Sequence, residues 1–375
     1  MPFRIILIFS IFLSFYVNAQ KVDDTFFKKM NTYIYENPEK AIREGIRLEK
    51  NATAADIKIK YLLFLSKAYT AKRDIDKSLD VLLKAQELSQ KSNNPSIKID
   101  VFIITAIQYQ HMELYNKSFE MLDKAENIAQ NLDSNLDPVK NAWLGKSNAV
   151  KGIIYRSQGN YEIALSKFLK SIDYFEQAEQ NKPNINNISI VYYNIAYNYI
   201  DQNNYEMAHH YFSKSLHFAE KSEAKSLQAF ALKGLAQNYS IQNNPMMSLQ
   251  LLNKAVVKAE KIGDLTLNEG IYKGLSNTYL TIGNFSLYHK NKEIYKKIKF
   301  DREQIELKSI NSFIDNLRKN YNYQIEQLKN RNKIISHISL FFGIILCLVL
   351  SYKIYQINKD NKNKAKKIQR LITNK

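Results

Sequence analysis

The chain has 375 residues, 45% of them apolar and 24% charged, enough to build a sizeable core and too apolar for compositional disorder. Its 10 Gly, 6 Pro and single Cys exclude a Gly-rich phosphate loop, an all-β sandwich, a disulfide framework and a thiolate zinc site, and they point to an all-α chain. The formal net charge is +18, of which +7 lies from Lys353 onward; the remainder is spread too thinly for the basic stripe of a nucleic-acid interface, so no direct nucleic-acid binding is expected.

Residues 1–19 carry Arg4, then an apolar run from Ile5 to Val17, and end with the small residues Val17 and Ala19 before Gln20. That is the layout of a secretory signal peptide cleaved after Ala19. The run is too short for a comfortable membrane span, and no Cys follows to take a lipid anchor.

Residues 20–297 contain an internal period. Tyr69, Tyr109, Tyr155, Tyr199, Tyr239 and Tyr279 are spaced by 40, 46, 44, 40 and 40 residues. Nine residues after each come Ser78, Ser118, Ala164, Ala208, Ser248 and Tyr288. Four further on are Leu82, Leu122, Phe168, Phe212, Leu252 and Lys292, and three beyond those Ala85, Ala125, Ser171, Ser215, Ala255 and Tyr295. The small–large–small series at i, i+4, i+7 marks one face of a helix. Turn-forming residues such as Gln158-Gly159-Asn160 and Gly283-Asn284 separate it from the helix that holds the tyrosine. Each period therefore predicts two helices. One pair cannot bury its apolar face alone, so the stack is the stable unit. The last copy departs from the series at Lys292 and Tyr295, as terminal repeats tend to, and Ala41 marks a degenerate copy ahead of the six.

This pattern resembles the tetratricopeptide repeat (TPR) family. The copy that matches best carries Gly152, Tyr155, Gly159, Tyr161, Ala164 and Phe168 at the family's intervals. Its periods of 40 or more exceed the family's usual 34. The resemblance implies an α-solenoid of about seven helix pairs whose first helices line a concave groove. It also implies that the residues six and two before each repeat tyrosine face that groove. On that basis the groove is apolar and aromatic around Ile107, Ile153, Tyr193 and Tyr197, and carries Lys233, Gln237, Lys273 and Asn277 toward its later end. Some members of the family hold a peptide carboxylate with Lys and Asn at such places; Lys273 and Asn277 match that pattern, Lys233 and Gln237 only in part. An ammonium and an amide can share a carboxylate between them.

Residues 298–333 form a polar connector helix without Gly or Pro, with an apolar stripe at Ile310, Ile314, Leu317, Tyr321, Ile325 and Leu328. A strict heptad would place Gln324 and Arg331 in the seam, so two readings stand side by side: a coiled coil that makes a homodimer, or packing on the last repeat. Residues 334–352 carry no formal charge over 19 positions, the length of one transmembrane helix. Eight basic residues and one acid follow in 353–375, so the positive-inside rule puts this tail in the cytoplasm. Together with the export signal this predicts a bacterial inner-membrane protein, single-pass, with its repeats in the periplasm.

No GxxxxGK[ST], GxGxxG or HExxH motif occurs, and no nucleophile–base constellation stands out. His210 and His217, seven apart on one helix, lie about 10 Å apart along its axis, too far to chelate one ion. Neither metal, cofactor nor enzymatic activity is expected. The function expected is that of a membrane-anchored extracytoplasmic scaffold binding a protein or peptide in its groove. The alternative rests on similarity to bacterial membrane regulators, notably of Bacteroidota, which carry an output domain after the span. On that reading the chain is a sensor half whose output domain is missing or supplied by a partner.

Overall fold

The computed structural model describes residues 34, 37–132 and 137–373, so the expected signal segment, 1–19, lies outside the described residues. It falls into two units, the repeats with the start of the last helix (Met1–Ile310) and the remainder of that helix (Asn311–Lys375).

Thirteen described helices follow one another, and no described residue is in a strand. After α1 (Pro38–Asn51) come six pairs. They are α2 (Ala55–Ala71) with α3 (Ile75–Gln90), α4 (Pro95–His111) with α5 (Tyr115–Gln130), and α6 (Asp137–Ser157) with α7 (Tyr161–Gln177). Next are α8 (Lys182–Asp201) with α9 (Tyr205–Lys221), α10 (Lys225–Ile241) with α11 (Pro245–Ala259), and α12 (Leu265–Ile282) with the opening of α13 (Phe285–Thr373). This is the expected all-α solenoid of helix pairs. Ile34, ahead of α1, is helical and packs with Ala41 and Ile42 against Phe64, Leu65 and Tyr69.

The turn inside every pair is built the same way. Four residues after each repeat tyrosine the backbone takes the left-handed conformation, at Arg73, Glu113, Gly159, Asn203, Asn243 and Gly283. The next N–H then donates 2.9 Å back to the tyrosine carbonyl, from Asp74, Leu114, Asn160, Asn204, Asn244 and Asn284. This bond satisfies one of the orphan carbonyls at the end of the first helix. The residue that donates it also begins the second helix. Asp74, Asn204, Asn244 and Asn284 each accept a side-chain cap bond from the backbone N–H three positions on.

Burial follows the phase read from the sequence. Ser78, Ser118, Ala164, Ala208 and Ser248 are closed off from solvent, as are Leu82, Leu122, Phe168, Phe212 and Leu252. The large members press into gaps where the facing helix lacks a side chain. A Cβ built at Gly152 would come within 2.6 Å of the Phe168 ring, and one at Gly274 within 2.9 Å of Leu252. Tyr69 is buried, whereas the five later repeat tyrosines are half-buried. Tyr199 stacks on Tyr211 with ring centroids 5.5 Å apart.

Successive pairs are tied by polar bonds as well as by packing. In three of the six pairs the residue before the repeat tyrosine reaches back to the first carbonyl of the preceding second helix. Asn198 Nδ2 donates to Tyr161 O and Asn238 Nδ2 to Tyr205 O, both at 3.0 Å, and Gln108 Nε2 to Ile75 O at 3.5 Å. Asn198 and Asn238 are fully buried.

In the second unit Ile314, Tyr321, Ile325 and Leu328 of the connector stripe are exposed. The helix also holds one stretch long and apolar enough to cross a membrane, within Tyr321–Arg370.

Candidate partner-binding groove

First helices contact not only their own partners but the next first helix, α2 with α4, α4 with α6, α6 with α8, α8 with α10 and α10 with α12. Among the described residues successive second helices do not approach one another as closely. The first helices therefore form the inner, tighter side of the curve. Lys67 on α2 is exposed; its protein surroundings, and then the Lys146 charge from α6, lower its ammonium from the usual range, while Asp100 on α4 opposes them.

The centre of this face is an aromatic cluster on α8, α9 and α10. Tyr193 and Tyr197, one helical turn apart, meet edge to face with centroids 4.8 Å apart. Phe212, fully buried, stands edge-on to both at 5.7 and 5.1 Å, and Phe230 lies 5.8 Å from Tyr193. Burial, and then the neighbouring Tyr197, raises the Tyr193 phenol well above its ordinary value, so it stays neutral.

Into this cluster comes Lys233 from α10. Its ammonium sits 5.7 Å from the Tyr193 centroid and 5.6 Å from those of Tyr197 and Phe230. The room for it is provided by Gly270 on α12, where a Cβ would come within 2.9 Å of Lys233 Cδ. Among the described residues Lys233 has no carboxylate partner. Ring quadrupoles attract a cation by about 0.5–2 kcal/mol, less than an ion pair in the same surroundings would supply. Arg156, whose guanidinium lies over the Tyr197 ring at 5.2 Å, differs: its charge is matched by Asp201 at 2.7 Å. Tyr197 donates its hydroxyl to Gln237 Oε1 at 2.9 Å.

Of the eight groove residues expected from sequence, Tyr193, Tyr197, Lys233 and Gln237 are thus brought together. Ile107 packs in the apolar clusters of α4, α5 and α6, and Ile153 in that of α7 and α8; both are half-buried. Lys273 and Asn277 are exposed on α12, and the structure shows no bond that draws their side chains together. Phe230 and Arg156 complete the site and were not among the expected residues. Phe230 lies nine before its repeat tyrosine and Arg156 one after, outside the two positions per repeat that the sequence pattern singles out. The three histidines of α9 sit on aromatic rings, with His209 hydrogen-bonded to Tyr239 at 3.2 Å, His210 against Tyr211 and His217 against Phe218.

No protein-family model and no curated protein matches the sequence. Solved structures do match in fold. One is a Rap protein complexed with competence and sporulation factor, 14% identical, with 77% of this chain and 78% of that one covered and a TM-score of 0.55. A second is the Rap conjugation gene regulator of the plasmid pLS20 in complex with the Phr* peptide, 16% identical, with 67% and 75% covered and a TM-score of 0.50. A third is a chain of the APC/C hetero-tetramer Cut9-Hcn1, 12% identical, with 75% and 48% covered and a TM-score of 0.51. The chain has a TPR-like fold. Identities this low speak for the fold alone.

Proposed function

We propose that the chain is a membrane-anchored scaffold whose first-helix face captures a peptide or a protein segment. The observation that carries this reading is Lys233, a cation placed among three aromatic rings with no carboxylate partner among the described residues. Aromatic anchors supply most of the binding energy in such sites, and a charge fixes orientation. Apolar side chains of the ligand dock along Ile107, Ile153, Tyr193 and Tyr197. An acidic group, a side chain or a chain terminus, meets Lys233 with Gln237 beside it and Lys273 and Asn277 farther along. The pLS20 regulator of like fold was solved with a peptide, which supports that ligand class. The apolar stretch within Tyr321–Arg370 supplies the anchor, with the repeats outside the cytoplasm.

A second reading, the sensor half of a transmembrane regulator, draws support from one feature. A single helix, Phe285–Thr373, holds both the last repeat contacts and the apolar stretch.

Panning the purified full chain against a heptapeptide library with free C-terminal carboxylates tests the first reading, with anisotropy of the tightest labelled binder as the readout. Joint Tyr193→Ala and Tyr197→Ala substitution is expected to weaken it at least tenfold, about 1.4 kcal/mol. Lys233→Gln should weaken it most at low salt. Equal affinity in wild type and both variants would move binding off this face.

A further inference from the structure

Every other second helix of a complete pair has 15 to 17 residues. The last one, α13, remains within the repeat unit from Phe285 to Ile310, about 39 Å at 1.5 Å per residue. Its additional turns carry Arg302, Glu306 and Ser309 at i, i+4 and i+7, hence on one face. Arg302 donates to Glu269 on α12 at 2.5 Å and to Glu306 on its own helix. Glu306 in turn accepts from Arg73, at 2.8 Å from Nε and 2.5 Å from Nη2. Ser309 Oγ accepts the backbone N–H of Asp76 at 2.8 Å, one of the orphan donors in the first turn of α3. Glu303, 3.8 Å from Arg302, the buried Asp76, Asp74 beside Arg73, and His111, whose imidazole its protein surroundings and then Arg73 lower to about 4, are also titratable groups at this junction. Through these contacts α13 joins the last pair, at Glu269, to the first complete pair, at Arg73 and Asp76.

In a solenoid each pair touches its neighbours, and stability is a sum of neighbour terms. A bridge between residues 233 positions apart is outside that sum. Small rotations of each pair add along the stack, so the two ends move more than any single interface between them. The interfaces are apolar and close-packed, while the bridge consists of two Arg, two Glu and one Ser. Hydrogen bonds of this length are lost once the donor moves by about 1 Å.

We propose that Arg73, Glu306, Arg302, Glu269 and Ser309 form a releasable latch. It closes the array end to end while the first-helix face is empty, and opens when a ligand on that face alters the curvature. The closure is independent of the proposed groove; the trigger rests on it.

The test uses the purified full chain. Hydrogen exchange is followed at the Asp76 amide, which the latch caps, and a distance is measured between spin labels at Lys84→Cys and Lys261→Cys in a Cys347→Ser background. Both sites are exposed. Glu306→Gln and, separately, Ser309→Ala are expected to raise exchange at Asp76 at least tenfold. Glu306→Gln should also lengthen or broaden the label distance, with amides of α8 and α10 still protected. The tightest heptapeptide from the panning should do the same to the wild type. If Glu306→Gln leaves both readouts unchanged, the latch is refuted. If it opens the array but the bound peptide does not, the trigger is refuted. Failure of any heptapeptide to bind the wild type in anisotropy would instead overturn the groove reading, a result the Glu306→Gln arm does not share.

Discussion

At the scale of single residues, the buried amides before the repeat tyrosines set the spacing of successive pairs. Asn238 reaches from α10 to the first carbonyl of α9, and Asn198 from α8 to that of α7. An Ala at either place takes one donor from a part-buried carbonyl that keeps its own helical bond, so the loss is one hydrogen bond, about 0.5–1.5 kcal/mol. The same change removes a carboxamide oxygen that has no partner among the described residues. The two effects oppose, so Asn238→Ala is expected to lower stability by about 1 kcal/mol or less. Chemical denaturation of the purified chain measures this; an unchanged midpoint would show that the bond contributes nothing.

At the scale of the helix pair, most of the architecture was legible in the sequence because burial itself is periodic. A residue such as Phe168 or Phe212 that fills the space between helices has to recur at the same phase, and small residues have to flank it at i−4 and i+3. The turns were legible where Gly159 and Gly283 or Asn203 and Asn243 occupy the left-handed position, and not where Glu113 and Arg73 do, since neither residue type announces that conformation. The aromatic cluster was half legible. Tyr193 and Tyr197 lie at the expected positions, whereas Phe230 and Arg156 enter from other phases, and pairing Lys233 with rings depends on Gly270 one repeat later. The Arg73–Glu306 bridge left no trace, because charged partners 233 residues apart follow no period. The turns also yield an expectation. Glu113 is exposed and adopts φ 59°, so Glu113→Gly relieves backbone strain and should raise stability by about 0.5–1 kcal/mol. A melting temperature that falls would mean that the Glu113 side chain, not its backbone, matters at that turn.

At the scale of the whole molecule, one chain holds a repeat array and a segment suited to a bilayer, and this has a topological consequence. The eight basic residues from Lys353 onward are each attracted to an anionic leaflet by roughly 1 kcal/mol. Protease added to intact spheroplasts should digest the repeats and spare a tag placed after Lys375. Digestion of that tag with the repeats intact would invert the orientation. On the proposed function, a partner binds the first-helix face around Lys233. The most direct measurement is site-specific photocrosslinking in living cells, with a benzophenone side chain placed at Phe230 and, as the contrast, at Val257, which is 71% exposed on the second helix α11. A discrete crosslinked species is expected from position 230 that Tyr197→Ala abolishes, and none from position 257. The same adduct from position 257, or one from 230 that persists in Tyr197→Ala, would contradict the proposed function.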